Sequence, residues 1–187
     1  MDRGEGAGVT NLRVAVTGGT SGLGLALVEA LWARGATVAF VARTAERVRA
    51  VAARLAGTHG IDGDVASKAQ IHPIALRITA ALGGLDVLIN NASSLGPVPL
   101  ALLSDTQCEA LEEALATNLV GPFAAAAREG RPARVINIVS DAAMTPYAGW
   151  GAYGASKAAL AHMSRIWDEE LRPHGIRRRS PHAQAAG

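Results

Sequence analysis

The chain has 187 residues, of which 49% are hydrophobic and 18% charged, a composition typical of a single folded domain and not of a disordered chain. The formal net charge of +2 indicates no acidic partner, and without a run of about 18 apolar residues no membrane-spanning helix is predicted. Because Cys108 is the sole cysteine and the first residues lack an apolar core, we expect a cytoplasmic protein without a disulfide or a signal peptide.

Short β-branched runs alternate with longer segments of helical periodicity, which is the pattern of βαβ units around a parallel sheet. Strands are predicted at residues 13–17, 37–42, 58–61, 85–90 and 134–140. Helices are predicted at residues 22–34, 45–55, 68–82, 105–128 and 153–171, with N-caps at Thr44, Ser67 and Ser104 and a disturbance at Pro73. We expect an α/β fold with one domain at residues 13–176, between flexible tails at residues 1–12 and 177–187.

A glycine-rich turn, Thr17-Gly18-Gly19-Thr20-Ser21-Gly22-Leu23-Gly24, follows the first strand and opens the first helix. Gly18 and Gly22 permit backbone angles and a close approach that a Cβ would forbid, and Gly24 lets the helix pack on the sheet. The first helical turn then directs unpaired N–H groups at an anion. A purely structural turn is the alternative, but the strand–turn–helix context favours dinucleotide binding. The candidate contacts are Gly18, Thr20, Ser21, Gly22, Leu23 and Gly24.

The spacing TGxxxGxG resembles the turn of the short-chain dehydrogenase/reductase family, and the resemblance extends from about residue 13 to 176. It implies a three-layer Rossmann fold with a doubly wound parallel sheet. The second strand ends at Arg43-Thr44 without a carboxylate for a ribose 2′-hydroxyl, and the Arg43 guanidinium suits a 2′-phosphate. NADP is therefore preferred to NAD, although Arg43 could also be a solvated arginine at a helix start.

Two further segments resemble the adenosine side of the family's cofactor site. Asp64-Val65 follows the third strand and resembles an adenine-contacting pair. Asn91-Ala92, after Asn90, resembles the family's Asn-Asn-Ala-Gly segment, with Ser93 in place of the glycine.

Tyr153 and Lys157 lie four residues apart at the start of the last helix, a spacing that places phenol and ammonium on one face. A phenol titrates near pH 10, and an adjacent cation favours its ionised form. Ser140, thirteen residues earlier, and Asn118 complete a tetrad that resembles the family's catalytic residues. The resemblance implies that Tyr153 exchanges a proton with the substrate oxygen and that Ser140 hydrogen-bonds that oxygen.

It also implies that Lys157 binds the nicotinamide ribose and that Asn118 supports a water chain. Tyr153 and Lys157 are thus candidate cofactor contacts as well. The loop at residues 144–151 contains Pro146, Tyr147 and Trp150, which form either an apolar wall of a substrate pocket or ordinary packing.

The family pattern stops near residue 176. Three arginines at residues 177–179 and Pro181 do not fit a buried strand, so the last strands of the sheet are expected to be missing. The arginines are interpreted as a solvated tail and not as a nucleic-acid site. The helix after Asn118 looks shortened, with a kink expected at Pro122. The histidines lack metal-ligand spacing, so no metal is expected.

These features predict an NADP-dependent oxidoreductase that transfers hydride on a small carbonyl or alcohol substrate. The alternative is a truncated dinucleotide-binding protein without turnover. A frameshift near residue 176 is a third possibility. The resemblance also implies a homodimer through the long helix and the Tyr/Lys helix.

Overall fold

The computed structural model describes residues 9–128 and 134–171. Within them the strands are β1 (Arg13–Thr17), β2 (Thr37–Ala42), β3 (His59–Asp62), β4 (Val87–Asn90) and β5 (Arg134–Asn137). These five strands form one parallel sheet in the order β3-β2-β1-β4-β5. The helices are α1 (Gly22–Ala33), α2 (Ala45–Arg54), α3 (Lys68–Leu82), α4 (Cys108–Leu115), α5 (Gly121–Arg128) and α6 (Gly151–Leu171).

Both faces of the sheet are buried, which gives three layers. On one face Ala15, Val41 and Leu88 pack with residues of α3 and α5. On the other face Val16 and Phe40 pack with residues of α1 and α2. The strand order reverses at β1, which lies between β2 and β4, so a crevice opens at the carboxyl ends of these strands. The predicted doubly wound parallel sheet is confirmed.

The predicted long helix at residues 105–128 is wrong as one element. A 3-10 turn (Leu103–Asp105) precedes α4, and a wide π turn (Ala116–Val120) separates α4 from α5. The Gly121 N–H donates to the carbonyl of Ala116, five residues back. Pro122 lacks the N–H that a regular helix would donate to the Asn118 carbonyl, and the helix widens directly before it.

Other boundaries differ in small ways. β5 ends at Asn137 and not at residue 140, because its partner β4 ends at Asn90. The helix α3 runs without interruption across Pro73. Thr44 and Ser67 are the N-cap residues of α2 and α3 as predicted, although neither side chain makes a capping hydrogen bond. Ser104 lies inside a 3-10 turn and the N-cap of α4 is Gln107, so the third cap prediction is wrong.

The predicted tails fall mostly outside the described residues, namely residues 1–8 and all of 177–187. Residues 9–12 are described, and they are joined to the turn between α1 and β2. The N–H of Asn11 donates to the Gly35 carbonyl (2.9 Å), and the N–H of Thr37 donates to the Leu12 carbonyl (2.9 Å). The boundary predicted at residue 13 therefore lies inside a hydrogen-bonded segment.

Candidate active site and cofactor cleft

A cleft of about 300 Å³ lies at the carboxyl ends of the strands, where the crevice opens. It is lined by Gly18, Thr20, Ser21, Leu23, Gly24, Val41, Ala42, Arg43, Thr44, Arg47, Gly63, Asp64, Val65, Asn91, Ala92, Ser93, Ser94 and Thr117. Most of the predicted cofactor contacts thus meet in one cavity, from four separate segments of the chain. Gly22, Tyr153 and Lys157 are the predicted contacts that do not line it.

The glycine-rich turn has the backbone that its sequence predicts. Gly18 and Gly22 have φ angles of 72° and 51°, a region that favours glycine. The N–H groups of Gly18 and Gly19 donate to the Val41 carbonyl at 2.8 and 3.2 Å, which ties the turn to β2. The first bond of α1 is Leu25 N–H to the Ser21 carbonyl (3.1 Å), so the preceding N–H groups are left for an anion in the cleft.

Gly24 is required for a different reason, which is space. A Cβ on Gly24 would overlap the Gly18 carbonyl oxygen, and a Cβ on Gly18 would lie 3.0 Å from the Cα of Ala92. Gly19, which the sequence analysis left without a role, packs against Phe40, whose Cβ would be 2.6 Å from an added Cβ. The turn is therefore closely packed against β2 and against the segment that follows β4. This packing fixes the backbone conformation of the turn without a bound ligand.

Thr17 and Asn91 fasten the ends of β1 and β4 together. The Thr17 hydroxyl accepts from the N–H groups of Asn91 and Ala92, both at 3.0 Å. The Asn91 amide donates to the carbonyls of Thr17 (3.0 Å) and Gly18 (3.3 Å). Asn91 thus lies at the cleft as predicted, with both amide protons bonded to the glycine-rich turn.

The far end of the cleft, where β2 ends and α2 begins, is basic. Arg43 and Thr44 follow β2 as predicted, and Arg47 lines the same end from the first turn of α2. Sequence reasoning missed Arg47, although its position one turn into the helix was a usable signal. Of the residues that line the cleft, Asp64 is the only acidic one, and its carboxylate accepts from the Ala66 N–H at 2.9 Å.

The candidate proton-transfer pair lies on one face of α6, as the spacing predicts. The Lys157 side chain is 2% exposed, and its Nζ donates to the Ile138 carbonyl (2.8 Å) and lies 5.7 Å from the Tyr153 ring centroid. Burial lowers the pKa of the Lys157 ammonium to about 8. The Tyr153 ring meets the Trp150 ring edge-on, with centroids 5.4 Å apart. No described residue hydrogen-bonds the Tyr153 hydroxyl.

Asn118 lies in the π turn and is fully buried. Its Oδ1 accepts from the Ser94 N–H (2.8 Å) and the Ser93 hydroxyl (3.1 Å). Its Nδ2 donates to the Ser94 carbonyl and the Ser156 hydroxyl, both at 2.8 Å. Two donated and two accepted bonds exhaust an amide, so this side chain joins the cleft wall to α6 and has no bond left for a water.

Ser140 directs its hydroxyl proton to a neighbour that the sequence analysis did not single out. Its Oγ donates to Asp141 Oδ1 (3.0 Å) and accepts from the Ala142 N–H (3.2 Å). The Tyr147 hydroxyl donates to Asp141 Oδ2 (2.8 Å). The hydrogen bonds from Tyr147 and Ser140 lower the pKa of the Asp141 carboxyl, and the same contact raises the pKa of the Tyr147 phenol.

The structure brings Ser140 close to α6 without a direct bond to Tyr153. A Cβ on Gly154 would lie 2.9 Å from the Ala142 carbonyl oxygen, so the turn after Ser140 packs against the helical turn that carries Tyr153. In the described residues no hydrogen bond joins the two hydroxyl groups.

An apolar groove of about 630 Å³ runs beside this turn. Its walls are Leu102, Leu103, the loop at residues 142–150 and the α6 residues Gly151, Gly154, Ala155 and Ala158. Pro146, Tyr147 and Trp150 lie in the loop wall of this groove, as one of the two interpretations of the loop predicted. Met144 is 72% exposed and Leu103 64% exposed, so the groove offers apolar surface to solvent.

Within the described residues no helix is long and apolar enough to cross a membrane. The same residues contain no cluster of three His, Cys, Asp or Glu side chains that could hold a metal ion.

A glycine-rich turn at the switch point of a parallel sheet, facing a cleft with a basic far end, defines a dinucleotide-binding α/β protein. The family model described as short chain dehydrogenase matches residues 13–180. The chain belongs to the short-chain dehydrogenase/reductase family.

Named relatives are about a third identical to the chain over the aligned residues. It is 31% identical to D-threitol dehydrogenase of Mycolicibacterium smegmatis over 172 residues, 87% of the chain and 65% of that relative. It is 30% identical to 3-oxoacyl-[acyl-carrier-protein] reductase of Aquifex aeolicus, over 86% of the chain and 68% of that protein. The chain thus spans about two thirds of the length of these relatives.

A solved structure supports the same relation. A short chain dehydrogenase from Burkholderia cenocepacia, crystallised in complex with NADP, superposes with a TM-score of 0.85 at 31% identity. The match covers 93% of this chain and 74% of that protein.

Proposed function

We propose that the protein is an NADP-dependent oxidoreductase that interconverts an alcohol and a carbonyl group on a small-molecule substrate. The observation that carries the proposal is the position of the cleft. Its wall at Ser94 is bonded through Asn118 to Ser156, between Tyr153 and Lys157 on α6. A dinucleotide that enters at the glycine-rich turn is thereby directed toward the candidate proton-transfer pair.

The residues present fit a dinucleotide. The N–H groups at the start of α1 and the absence of side chains at Gly18 and Gly24 make a cradle for a pyrophosphate, which a Cβ would fill. Thr20 and Ser21 line the same part of the cleft and supply hydroxyl donors. Leu23 is 51% exposed at the cleft, and we assign it an apolar contact with the cofactor.

The basic far end supports NADP over NAD. Arg43 and Arg47 converge there with the Thr44 hydroxyl, and a 2′-phosphate would accept from all three. The N–H of Asp64 is held by Gln70 (2.9 Å), which fixes the backbone of the Asp64-Val65 segment beside an adenine. A related structure in complex with NADP adds to this support.

The chemistry is a hydride exchange with an accompanying proton transfer. When bound, the dinucleotide supplies the hydride acceptor or donor. Tyr153 gives a proton to the substrate oxygen or takes one from it. Lys157, 5.7 Å from the Tyr153 ring, stabilises negative charge on the phenol and, with Tyr153, would face the nicotinamide ribose. Ser140 hydrogen-bonds the reacting oxygen.

Asn118 has a positioning role in this scheme. Its amide fixes Ser156 and hence the turn of α6 that presents Tyr153 and Lys157. The expected water chain for proton transfer would begin at the backbone carbonyl of Asn118. This carbonyl is open to a water because Pro122, four residues later, has no N–H to donate to it.

Calorimetry with NADP and NAD tests the binding half. Replacing Arg43 or Arg47 by Ala is expected to weaken NADP binding about tenfold to a hundredfold, the effect of a hydrogen bond to a charged group, with little change for NAD. Arg49→Ala is the matched control, because Arg49 is exposed on the same helix and does not line the cleft. Equal losses for both dinucleotides would contradict the assignment.

Oxidation of NADPH with a panel of ketones and aldehydes tests the chemistry. We expect turnover that Tyr153→Phe abolishes while NADP affinity is retained. Saturable binding without turnover would favour the alternative function of a dinucleotide-binding protein. Failure to bind either dinucleotide would exclude both functions.

We also propose a homodimer formed by the outer faces of α4, α5 and α6. α6 exposes Arg165 and the apolar Ile166 (45% exposed), and α4 exposes Glu109 and Glu113, so in a dimer Arg165 of one copy would pair with a glutamate on α4 of the other. Light scattering is expected to give twice the chain mass, and Ile166→Lys to give the monomer. A monomeric wild type would refute the dimer.

A further inference from the structure

Ser93 lines the cofactor cleft at the position where the segment that it resembles in the family has a glycine. Its side chain is exposed, and its hydroxyl donates to Asn118 Oδ1 at 3.1 Å. In the part of the chain that the structure describes, no group donates to Ser93 Oγ. The two lone pairs of this oxygen are therefore open to a donor in the cleft, and a glycine would offer none.

The position of Ser93 along the cleft indicates which part of a dinucleotide it meets. Arg43 and Arg47 lie at the basic end beside β2, to which the 2′-phosphate of the adenosine half is assigned. The glycine-rich turn follows β1, the next strand of the sheet, and suits the pyrophosphate. Ser93 follows β4, which lies on the other side of β1. A dinucleotide that runs from β2 across β1 thus brings its second ribose, which carries the nicotinamide, toward Ser93.

Ser93 is also the first member of a chain of hydrogen bonds that ends at the backbone of Tyr153. Asn118 accepts from Ser93 at Oδ1 and donates from Nδ2 to Ser156 Oγ at 2.8 Å. Ser156 Oγ in turn donates to the Tyr153 carbonyl at 2.7 Å. Each donor points from the cleft toward α6, so a ligand O–H that donates to Ser93 extends the chain by one bond. Hydrogen bonds aligned in this way polarise and strengthen one another.

We propose that Ser93 is a further cofactor contact, whose Oγ accepts from a hydroxyl of the nicotinamide-side ribose and ties that ribose to the turn of α6 that carries Tyr153. The proposal rests on the dinucleotide binding proposed above. A ribose has hydroxyl protons to donate, whereas the oxygens of a pyrophosphate are acceptors. The ribose and not the pyrophosphate therefore matches the open lone pairs of Ser93.

Calorimetry with NADP and two of its fragments tests which part of the cofactor Ser93 contacts. One fragment, 2′-phospho-ADP, has the adenosine half and both phosphates of the pyrophosphate. The other, 2′-phospho-ADP-ribose, has the second ribose in addition. We expect Ser93→Ala to weaken the binding of NADP and of 2′-phospho-ADP-ribose about fivefold, the effect of one neutral hydrogen bond, and to leave the binding of 2′-phospho-ADP unchanged.

Two more variants complete the comparison. Ser93→Gly, which also removes the hydroxyl, should show the same pattern of losses as Ser93→Ala. Ser104→Ala is the matched control, because it removes a serine hydroxyl that is exposed outside the cleft, and it should change none of the three affinities.

The pattern across the three ligands separates a contact with the ribose from a purely structural role. A structural role through Asn118 would weaken all three ligands equally, and that result would overturn the proposal. Unchanged affinity for all three, or a loss for NADP alone, would overturn it as well. A wild-type protein that binds none of the three ligands would instead contradict the proposed function.

Discussion

Replacement of Lys157 by Met is expected to make the protein more stable and catalytically inactive. The Lys157 ammonium is 2% exposed, and burial lowers its pKa from 10.5 to about 8. A change of that size corresponds to roughly 3 kcal/mol of destabilisation when the lysine is charged. The variant loses the hydrogen bond to the Ile138 carbonyl, which costs about 1 kcal/mol, so the expected net gain at pH 7 is about 2 kcal/mol.

The gain should depend on pH in a defined direction. The folded pKa of Lys157 lies below the unfolded one, so the unfolded chain binds more protons between pH 8 and 10.5 and the wild type gains stability as pH rises through that window. The advantage of Lys157→Met is therefore full below pH 8 and is lost before pH 10.5, where the missing hydrogen bond leaves the variant about 1 kcal/mol less stable than the wild type.

Urea denaturation of both proteins at pH 7 and pH 10 measures the effect, with NADPH oxidation as the activity assay. Lys68→Met is the control, because Lys68 is exposed at the start of α3 and its replacement should change stability little at either pH. A variant that is less stable than the wild type at pH 7, or a stability difference independent of pH, would refute the argument from burial.

Three more predictions concern stability measured by urea denaturation. Gly24→Ala places a Cβ on the Gly18 carbonyl and is expected to cost about 2 kcal/mol, with a loss of NADP affinity. Asp86→Asn removes the carboxylate that Arg13 binds, whose pKa is lowered to about 2, and is expected to cost about 1 kcal/mol at pH 7. Since that pKa lies below the usual value, the stabilisation is present above about pH 4 and disappears as pH falls toward 2. Asn118→Ala removes four hydrogen bonds, one of them to the buried Ser156, and is expected to cost about 3 kcal/mol.

Controls exist for each of these variants. Gly57→Ala introduces a Cβ at a positive φ of 86°, which Gly24 does not have, but nothing lies within 4 Å of that Cβ, so it should cost less than Gly24→Ala. Asp105→Asn removes an exposed carboxylate far from Arg13 and should show no loss at pH 7. A cost of Asp86→Asn that persists unchanged at pH 2 would contradict the ion-pair explanation. Wild-type stability of Asn118→Ala would contradict the role assigned to its amide.

The features that the sequence predicted correctly are those that depend on residues close together in the chain. β1 and β2 were predicted at their observed bounds, because strands buried on both faces are continuous apolar runs that little else resembles. Gly18 and Gly22 were predicted to adopt backbone angles that a Cβ would forbid, and both have the positive φ angles that glycine adopts at least cost. The spacing of Tyr153 and Lys157 likewise fixes a common helical face before any tertiary contact is known.

The features that sequence reasoning missed depend on which elements meet in space. The proton of Ser140 is held by Asp141, and Asp141 in turn by Tyr147, six residues away across a turn whose path no local pattern specifies. The π turn at Asn118 arises between two helices that share one helical periodicity in the sequence, so the periodicity alone predicted a single long helix.

The position of α6 is set by buried polar groups as well as by apolar packing. Asn90 on β4 donates to Asn137 on β5 (2.8 Å), and Asn137 donates to Ser164 on α6 (2.8 Å), with all three side chains at most 5% exposed. Asn118 makes a second buried connection at Ser156, two turns earlier in the same helix.

Small side chains such as alanine allow a helix to slide or rotate against a sheet at little cost, whereas hydrogen bonds at two points along α6 do not. Burying these amides has a desolvation cost, and the two connections offset it only when the helix has one register. That register places Lys157 against the Ile138 carbonyl and Tyr153 beside the turn after Ser140. The geometry of the candidate active site thus follows from polar residues that lie outside it and would never contact a substrate.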